Sequence, residues 1–151
     1  MTARIYLRIA SVLTLVHAIL HTVGGVYGSP VNSTAAQVVA TMQANSFPMM
    51  GVTRTYAEFY RGMGLGITIF LTAEGIVFWL LASLAKTDAA RLRPILAVFL
   101  LGYLAFAVNS LLYFFLAPVI TEILIALALG MAILTAKSPA TVERQNAAAS
   151  A

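Results

Sequence analysis

Seven side chains able to bind a proton, a metal ion or a charged head group lie in or beside four long apolar stretches. They are His17, His21, Glu58, Arg61, Asn109, Tyr113 and Glu122. His17 and His21 stand four residues apart in the segment HAILHTVGG, so on an α-helix they project from one face. Imidazoles at that spacing can chelate one metal ion, with Glu122 or Glu58 as a third ligand. The chain has only these two histidines, which excludes a multi-histidine di-iron cluster. Their common face also excludes the two opposed axial positions of a haem. Proton transfer between an imidazole and a carboxylate is the other chemistry these types support. The plain alternative is that each imidazole bonds to a Glu, Asn, Tyr or backbone carbonyl and sets helix register. Ionisable groups inside a membrane span are costly and mark functional candidates.

The elements that position them follow from composition. Hydrophobic residues make up 61% of the 151 and charged residues only 9%, with a mean hydropathy of +0.93. Soluble domains are about half apolar and about one quarter charged, so lipid is the expected solvent. The net charge of +4 then reports topology. No basic block with interleaved aromatics suggests nucleic acid. Absence of cysteine excludes disulfides, thiolate nucleophiles and Cys-based metal clusters.

A span needs roughly 20 apolar residues. Four windows qualify, at about 5–26, 59–84, 94–116 and 119–136. They are too long and too continuously apolar for barrel strands, so the predicted fold is an all-α integral membrane four-helix bundle. The four-span domain covers 1–137, and the Ala-, Ser- and Gln-rich tail 138–151 is expected to be disordered. Seven of the nine basic residues (Arg4, Arg8, Lys86, Arg91, Arg93, Lys137 and Arg144) fall on one side of these spans. Only Arg54 and Arg61 fall on the other, which predicts that both termini are cytoplasmic. The first span has a basic start like a signal peptide. It is long for an h-region and carries two histidines, so it is expected to remain a span.

Between spans three and four, Ala117-Pro118 allows almost no loop, and Pro118 suits the first turn of a helix. A tight antiparallel hairpin is predicted there. The outer loop from Tyr27 to Thr55 is long. Ser33 or Thr34 is expected to cap a short helix running to Ala44, with Val38, Val39 and Met42 as its apolar stripe, lying on the membrane surface as a lid. Ser46-Phe47-Pro48 is expected to break it. Thr55 with Glu58 fits a capping box opening span two. Tyr56, Phe59 and Tyr60 would form an aromatic belt at head-group level.

Counting about 1.5 Å per residue from the outer ends places His21 roughly 6 Å deep, His17 roughly 12 Å, Glu122 roughly 6 Å and Asn109 roughly 10 Å. Tyr113 is expected close to Glu122 across the hairpin, and Glu58 and Arg61 at the outer end of span two. All seven therefore converge on one layer in the outer half of the bundle. In span two the predicted polar face is Glu58, Arg61, Leu65, Thr68 and Thr72. In span three it is Gly102, Phe106, Asn109 and Tyr113. Gly24 with Gly28, and Gly62 with Gly66, have the GxxxG spacing of close helix crossings. Glu74 sits deep in span two, turned away from the Thr68/Thr72 face, and has no partner in this scheme.

HAILHTVGG, the span-two entry TRTYAEFYRGMGLG and the hairpin LLYFFLAPVITE resemble an uncharacterised family of small four-span bacterial inner-membrane proteins. The resemblance covers most of the chain and implies no known activity. The DoxX-like proteins are similar in span number alone. Quinone-linked thiol-redox bundles are excluded by the missing cysteines. Sterol isomerase-type bundles use intramembrane His and Glu, but no matching motif is present.

The expectation is thus a polar pocket in the outer half of the bundle that binds a small hydrophobic ligand: a lipid, quinone or isoprenoid. A non-catalytic subunit or assembly factor, with an oligomeric or membrane partner, is one alternative. A membrane enzyme using His/Glu proton transfer or a His-bound metal is the other. Orientation is directly testable because no native cysteine interferes. An impermeant maleimide applied to intact cells should label Ser29→Cys and not Thr87→Cys; the reverse pattern inverts the topology.

Overall fold

A computed structural model describes residues 2–137. The predicted tail, 138–151, lies outside the described residues. In chain order the elements are α1 (Ala3–Leu20), a π-helical segment (His21–Val26), α2 (Ser33–Ala44), β1 (Ser46–Met49), β2 (Val52–Thr55), α3 (Tyr56–Asp88), a 3₁₀ turn (Ala90–Leu92), α4 (Arg93–Tyr113) and α5 (Leu116–Thr135). Among the described residues, four helical stretches are long and apolar enough to cross a membrane: Ala3–Val26, Tyr56–Asp88, Ala90–Tyr113 and Leu116–Thr135. The chain is an all-α, multi-pass membrane protein. Its contacts divide it into two compact units, Met1–His17 with Thr72–Ala151, and Ala18–Leu71.

The first unit packs four helical stretches around one core: α1 up to His17, α3 from Thr72, α4 and α5. Leu7, Phe78, Leu96, Tyr103, Ile125 and Leu129 form its large apolar members. Alanines 10, 82, 126, 128 and 132 fill the gaps between them. Small residues are what such a core requires. Lipid is as apolar as leucine, so helices gain by close van der Waals approach and not by hiding apolar surface from water. Leu101, Val108, Leu111 and Leu127 accordingly remain exposed. Phe78 meets Phe99 edge-to-face with centroids 5.0 Å apart.

The tightest approach is at Gly75. A Cβ there would lie 2.7 Å from the Leu15 side chain and 3.4 Å from the Ser11 carbonyl. Ser11 Oγ donates to the Gly75 carbonyl at 2.6 Å, so the bare glycine lets α1 and α3 bond directly. The expected crossing glycines differ. Gly62 and Gly66 would gain a Cβ in open space.

The α4–α5 connection is as tight as predicted but three residues earlier. α4 ends at Tyr113, Phe114-Phe115 make the turn, and Ala117 and Pro118 lie in the first turn of α5. Early helix positions have no intrahelical acceptor for their N–H, so proline is tolerated there. At the other end of α5, the Arg93 guanidinium donates to the Ala136 carbonyl and satisfies an orphan C-terminal acceptor. Lys86, expected in the loop, belongs to the last turn of α3. Asp88 pairs with Arg91 at 2.8 Å across the short turn that follows.

In the second unit, α2 is capped by Asn32, one residue before the expected caps; its Oδ1 accepts the Ala35 N–H at 2.8 Å. Asn serves as well as Ser here because its carbonyl oxygen reaches the same orphan donor. The segment expected only to break the helix forms a β-hairpin, with Phe47 opposite Arg54 and Met49 opposite Val52. Its two-residue turn, Met50-Gly51, has positive φ at both positions (48° and 84°), the primed geometry that matches strand twist. Pro48 is tolerated because a two-stranded ribbon is all edge. The hairpin leads directly into the capping box. Glu58 Oε2 accepts the Thr55 N–H at 2.8 Å, and Thr55 Oγ1 accepts the Glu58 N–H at 3.1 Å. The Phe47 ring packs tilted against Tyr56 and edge-on to Phe59, fixing the hairpin to the first turn of α3.

Gly75→Ala should lower stability by about 1–3 kcal/mol through overpacking against Leu15. Gly62→Ala should be neutral or stabilising by up to about 1 kcal/mol through helix propensity. Thermal unfolding of both variants in one detergent checks the pair.

Candidate functional site

Interior polarity in the first unit begins on α1. Ser11, Thr14 and His17 recur every three residues on its buried face, and His17 is 6% exposed. Thr14 Oγ1 lies 3.3 Å from the Tyr103 hydroxyl on α4. That hydroxyl donates to Glu74 Oε2 on α3 at 2.8 Å. A phenol has one proton, so with it given to Glu74 the Thr14 hydroxyl must donate to Tyr103. Glu74, which the sequence left unplaced, is thus the acceptor at the end of a three-helix chain. Two turns along α4 from Tyr103, Ser110 Oγ donates to Glu122 Oε1 on α5 at 2.9 Å. Glu122 is 1% exposed, and its Oε2 is buried with no hydrogen-bond partner.

Asn109 and Tyr113 do not join this interior. Asn109 is exposed, and Tyr113 is 75% exposed. The buried stripe of α4 is Leu96, Tyr103, Ala107 and Ser110, one residue on from the expected Gly102, Phe106, Asn109 and Tyr113. One residue is about 100° around a helix, enough to exchange an inward face for an outward one. The partner of Glu122 is therefore Ser110, one turn before Tyr113. The α4 sequence is apolar all round, so periodicity cannot select a face. Asn109 and Tyr113 drew the assignment because they are its more conspicuous polar residues.

The other candidates lie in the second unit. His21 opens the π-helical segment, and its Nε2 donates to the Gly64 carbonyl at 3.0 Å. Thr22 Oγ1 donates to the Ala18 carbonyl at 2.7 Å and lies 2.9 Å from Thr68 Oγ1. Together they pin the π-segment to α3 at Gly64 and Thr68. The Tyr27 N–H bonds five residues back, to Thr22. That wider pitch removes the α-helical register on which a stripe through Gly24 and Gly28 was expected. Gly28 still has a packing reason, since a Cβ there would strike the Gly24 carbonyl oxygen. The Arg61 guanidinium lies 5.9 Å from the Tyr27 ring centroid, at the outer limit of a cation–π contact.

No group of three or more His, Cys, Asp or Glu able to hold a metal exists among the described residues. In addition, His21 Nε2 already donates to a carbonyl, which leaves only Nδ1 as a ligand atom. Among the described residues, the grooves open to a molecule include two. One, of about 420 Å³, is lined by Arg54, Glu58, Phe59, Gly62 and Met63. The other, of about 300 Å³, runs between α4 and α5 and is wholly apolar, with Leu104, Ile123, Leu127 and Gly130 in its wall. Neither is lined by His17, His21, Asn109 or Glu122.

Sequence reasoning missed Ser11, Thr14, Tyr103 and Ser110. The every-third-residue run Ser11, Thr14, His17 was a usable signal on α1. Tyr103 and Ser110 carried none, because α4 is apolar on every side and no period marks the face they share. The chain matches no protein-family model, no curated protein and no solved structure.

Tyr103→Phe should cost about 1–3 kcal/mol, because Glu74 and Thr14 both lose their partner. Adding Glu74→Met should recover much of that loss, since removing both ends of a buried hydrogen bond is far cheaper than removing one. A double-mutant cycle on unfolding in detergent measures the coupling.

Proposed function

We propose that this chain binds a small amphiphile with a zwitterionic head group in the groove at the start of α3. The observation that carries the reading is the lining of that groove, where a cation and an anion (Arg54 and Glu58) adjoin the apolar walls of Phe59 and Met63. Arg54 suits a phosphate, and Glu58 an ammonium. The capping bonds from Thr55 both fall on Oε2 of Glu58, and the side chain is exposed. Gly62 contributes no side chain, which leaves depth for an acyl or isoprenoid segment. Exposed Tyr56, Phe59 and Tyr60 beside it suit the level of lipid head groups. The groove thus takes the place of the pocket expected among the histidines, and Glu58 is the residue common to both. The seven-to-two bias of basic residues fits a cell membrane, which we take to be a bacterial inner membrane, with both termini on its cytoplasmic side.

A second reading, a non-catalytic membrane subunit or assembly factor, draws support from the hydrogen-bonded chain Thr14–Tyr103–Glu74, in which polar groups serve one another. In that case the groove would carry no ligand of its own.

Native mass spectrometry after extraction in mild detergent distinguishes the two. The wild-type protein should retain phosphatidylethanolamine in preference to phosphatidylglycerol. Gly62→Leu places a side chain in the groove, and its Cβ meets nothing within 4 Å. It should abolish retention while leaving the melting temperature unchanged. Arg54→Ala should weaken retention by about tenfold or more, the loss of one charge-assisted hydrogen bond. An unchanged lipid complement in Gly62→Leu would overturn the amphiphile reading.

A further inference from the structure

We propose that the seam between α1 and α3, at the end marked by Arg4 and Lys86, binds a lipid whose head group carries two phosphates. The register of the seam follows from its contacts. Arg8 Nη2 donates to Ser83 Oγ at 3.3 Å, and Ser11 Oγ donates to the Gly75 carbonyl at 2.6 Å. A step forward on α1 is thus a step back on α3, and the pair closes where Ala3, Ala85 and Ala89 pack in one cluster. Arg4 stands one turn beyond Arg8 on the same face of α1, and Lys86 about one turn beyond Ser83 on the same face of α3. Both are exposed. Two facing stripes therefore bring Arg4, Arg8 and Lys86 to one end of the seam.

Arg8 is the charge that calls for an anion. A guanidinium keeps its proton in any protein setting. Its Cζ lies 3.2 Å from the Trp79 ring centroid, and Nη1 is buried with no hydrogen-bond partner among the described residues. Nη2 meets the neutral Ser83 hydroxyl. A π-face and a hydroxyl leave the positive charge unmatched in surroundings of low dielectric, where its field reaches several ångströms. Asp88, two residues past Lys86, is already paired with Arg91 at 2.8 Å and also accepts the Arg91 N–H. The level suits phosphate. At about 1.5 Å per residue, Arg8 lies about 10 Å from the middle of Ala3–Val26, and Ser83 about 16 Å from the middle of Tyr56–Asp88. Those depths bracket the hydrocarbon boundary, about 15 Å from the bilayer centre. Arg4 and Lys86 stand about 5 Å further out, at head-group level, where they supply the direct bonds while the covered Arg8 adds its field. One phosphate would leave two of these three charges unmatched. Two phosphates in one head group match them more closely.

Native mass spectrometry of the full chain in detergent, titrated with cardiolipin, phosphatidylglycerol or inorganic pyrophosphate, tests the assignment. The wild type should bind cardiolipin about tenfold or more tightly than phosphatidylglycerol. The double variant Arg4→Gln/Lys86→Gln should weaken cardiolipin binding about tenfold or more, with an unchanged melting temperature because both side chains are exposed. Arg8→Met should weaken it too, whereas Arg8→Lys keeps the charge and should keep the affinity. Should Arg8→Met fail to fold, the exposed pair decides. Gly62→Leu, at the start of α3, should leave cardiolipin binding unchanged, which separates this seam from the amphiphile groove. Equal affinity for the two lipids, or unchanged cardiolipin affinity in the double variant, would overturn the proposal. Pyrophosphate binding as tightly as cardiolipin would assign the seam to a soluble phosphate and overturn the lipid.

Discussion

A polar side chain inside hydrocarbon has no water to bond to, and most of this chain is arranged around that constraint. Backbone groups meet it by forming helices, and side chains must find partners on neighbouring helices. The Tyr103 hydroxyl shows how much one group can organise. It donates to Glu74 on α3 and lies within hydrogen-bond distance of Thr14 on α1, so one phenol on α4 ties three helices. Its ring also packs against Phe78, a fully buried member of the core. The same residue thus serves the apolar and the polar part of the bundle, and its rotation about α4 sets which face of that helix turns inward.

Close approach is the other half of the same constraint. A Ser11–Gly75 bond of 2.6 Å needs two backbones near one another, and only a glycine leaves that room beside Leu15. Alanines through the core act similarly at lower cost in helix propensity. Arg8 is the one interior-reaching charge on α1. It lies 3.2 Å from the Trp79 ring centroid and donates to Ser83, which lets the apolar stem pack while the cation meets a π-face.

The second unit handles polarity differently, because it has backbone ends to satisfy. Asn32 caps α2, Thr55 and Glu58 cap α3, and His21 bonds to a carbonyl of α3. The π-segment adds one residue per turn and carries His21 and Thr22 onto α3 at Gly64 and Thr68. Side chains in this unit that chemistry alone would nominate as ligands are thus partly occupied as connectors. The groove at Arg54 and Glu58 is the place where charge and apolar surface remain open together.

Span number, helical class, the tight α4–α5 connection and the Thr55–Glu58 cap were legible in the sequence. Each depends on local rules: span length, proline position and the reach of a side chain three residues along. The hairpin was not read from the sequence, where Ser46-Phe47-Pro48 marked only the end of α2. Which face of α4 points inward was not legible, because a helix apolar on every side has no periodic signal. The partners of Glu74 and Glu122 were equally hidden, since Tyr103 and Ser110 become partners only when α4 takes one rotation and not the next. Local chemistry therefore determined the elements and their ends. The tertiary structure decided which polar groups meet, because in an apolar solvent that choice rests on packing shape and on hydrogen bonds between residues distant in sequence.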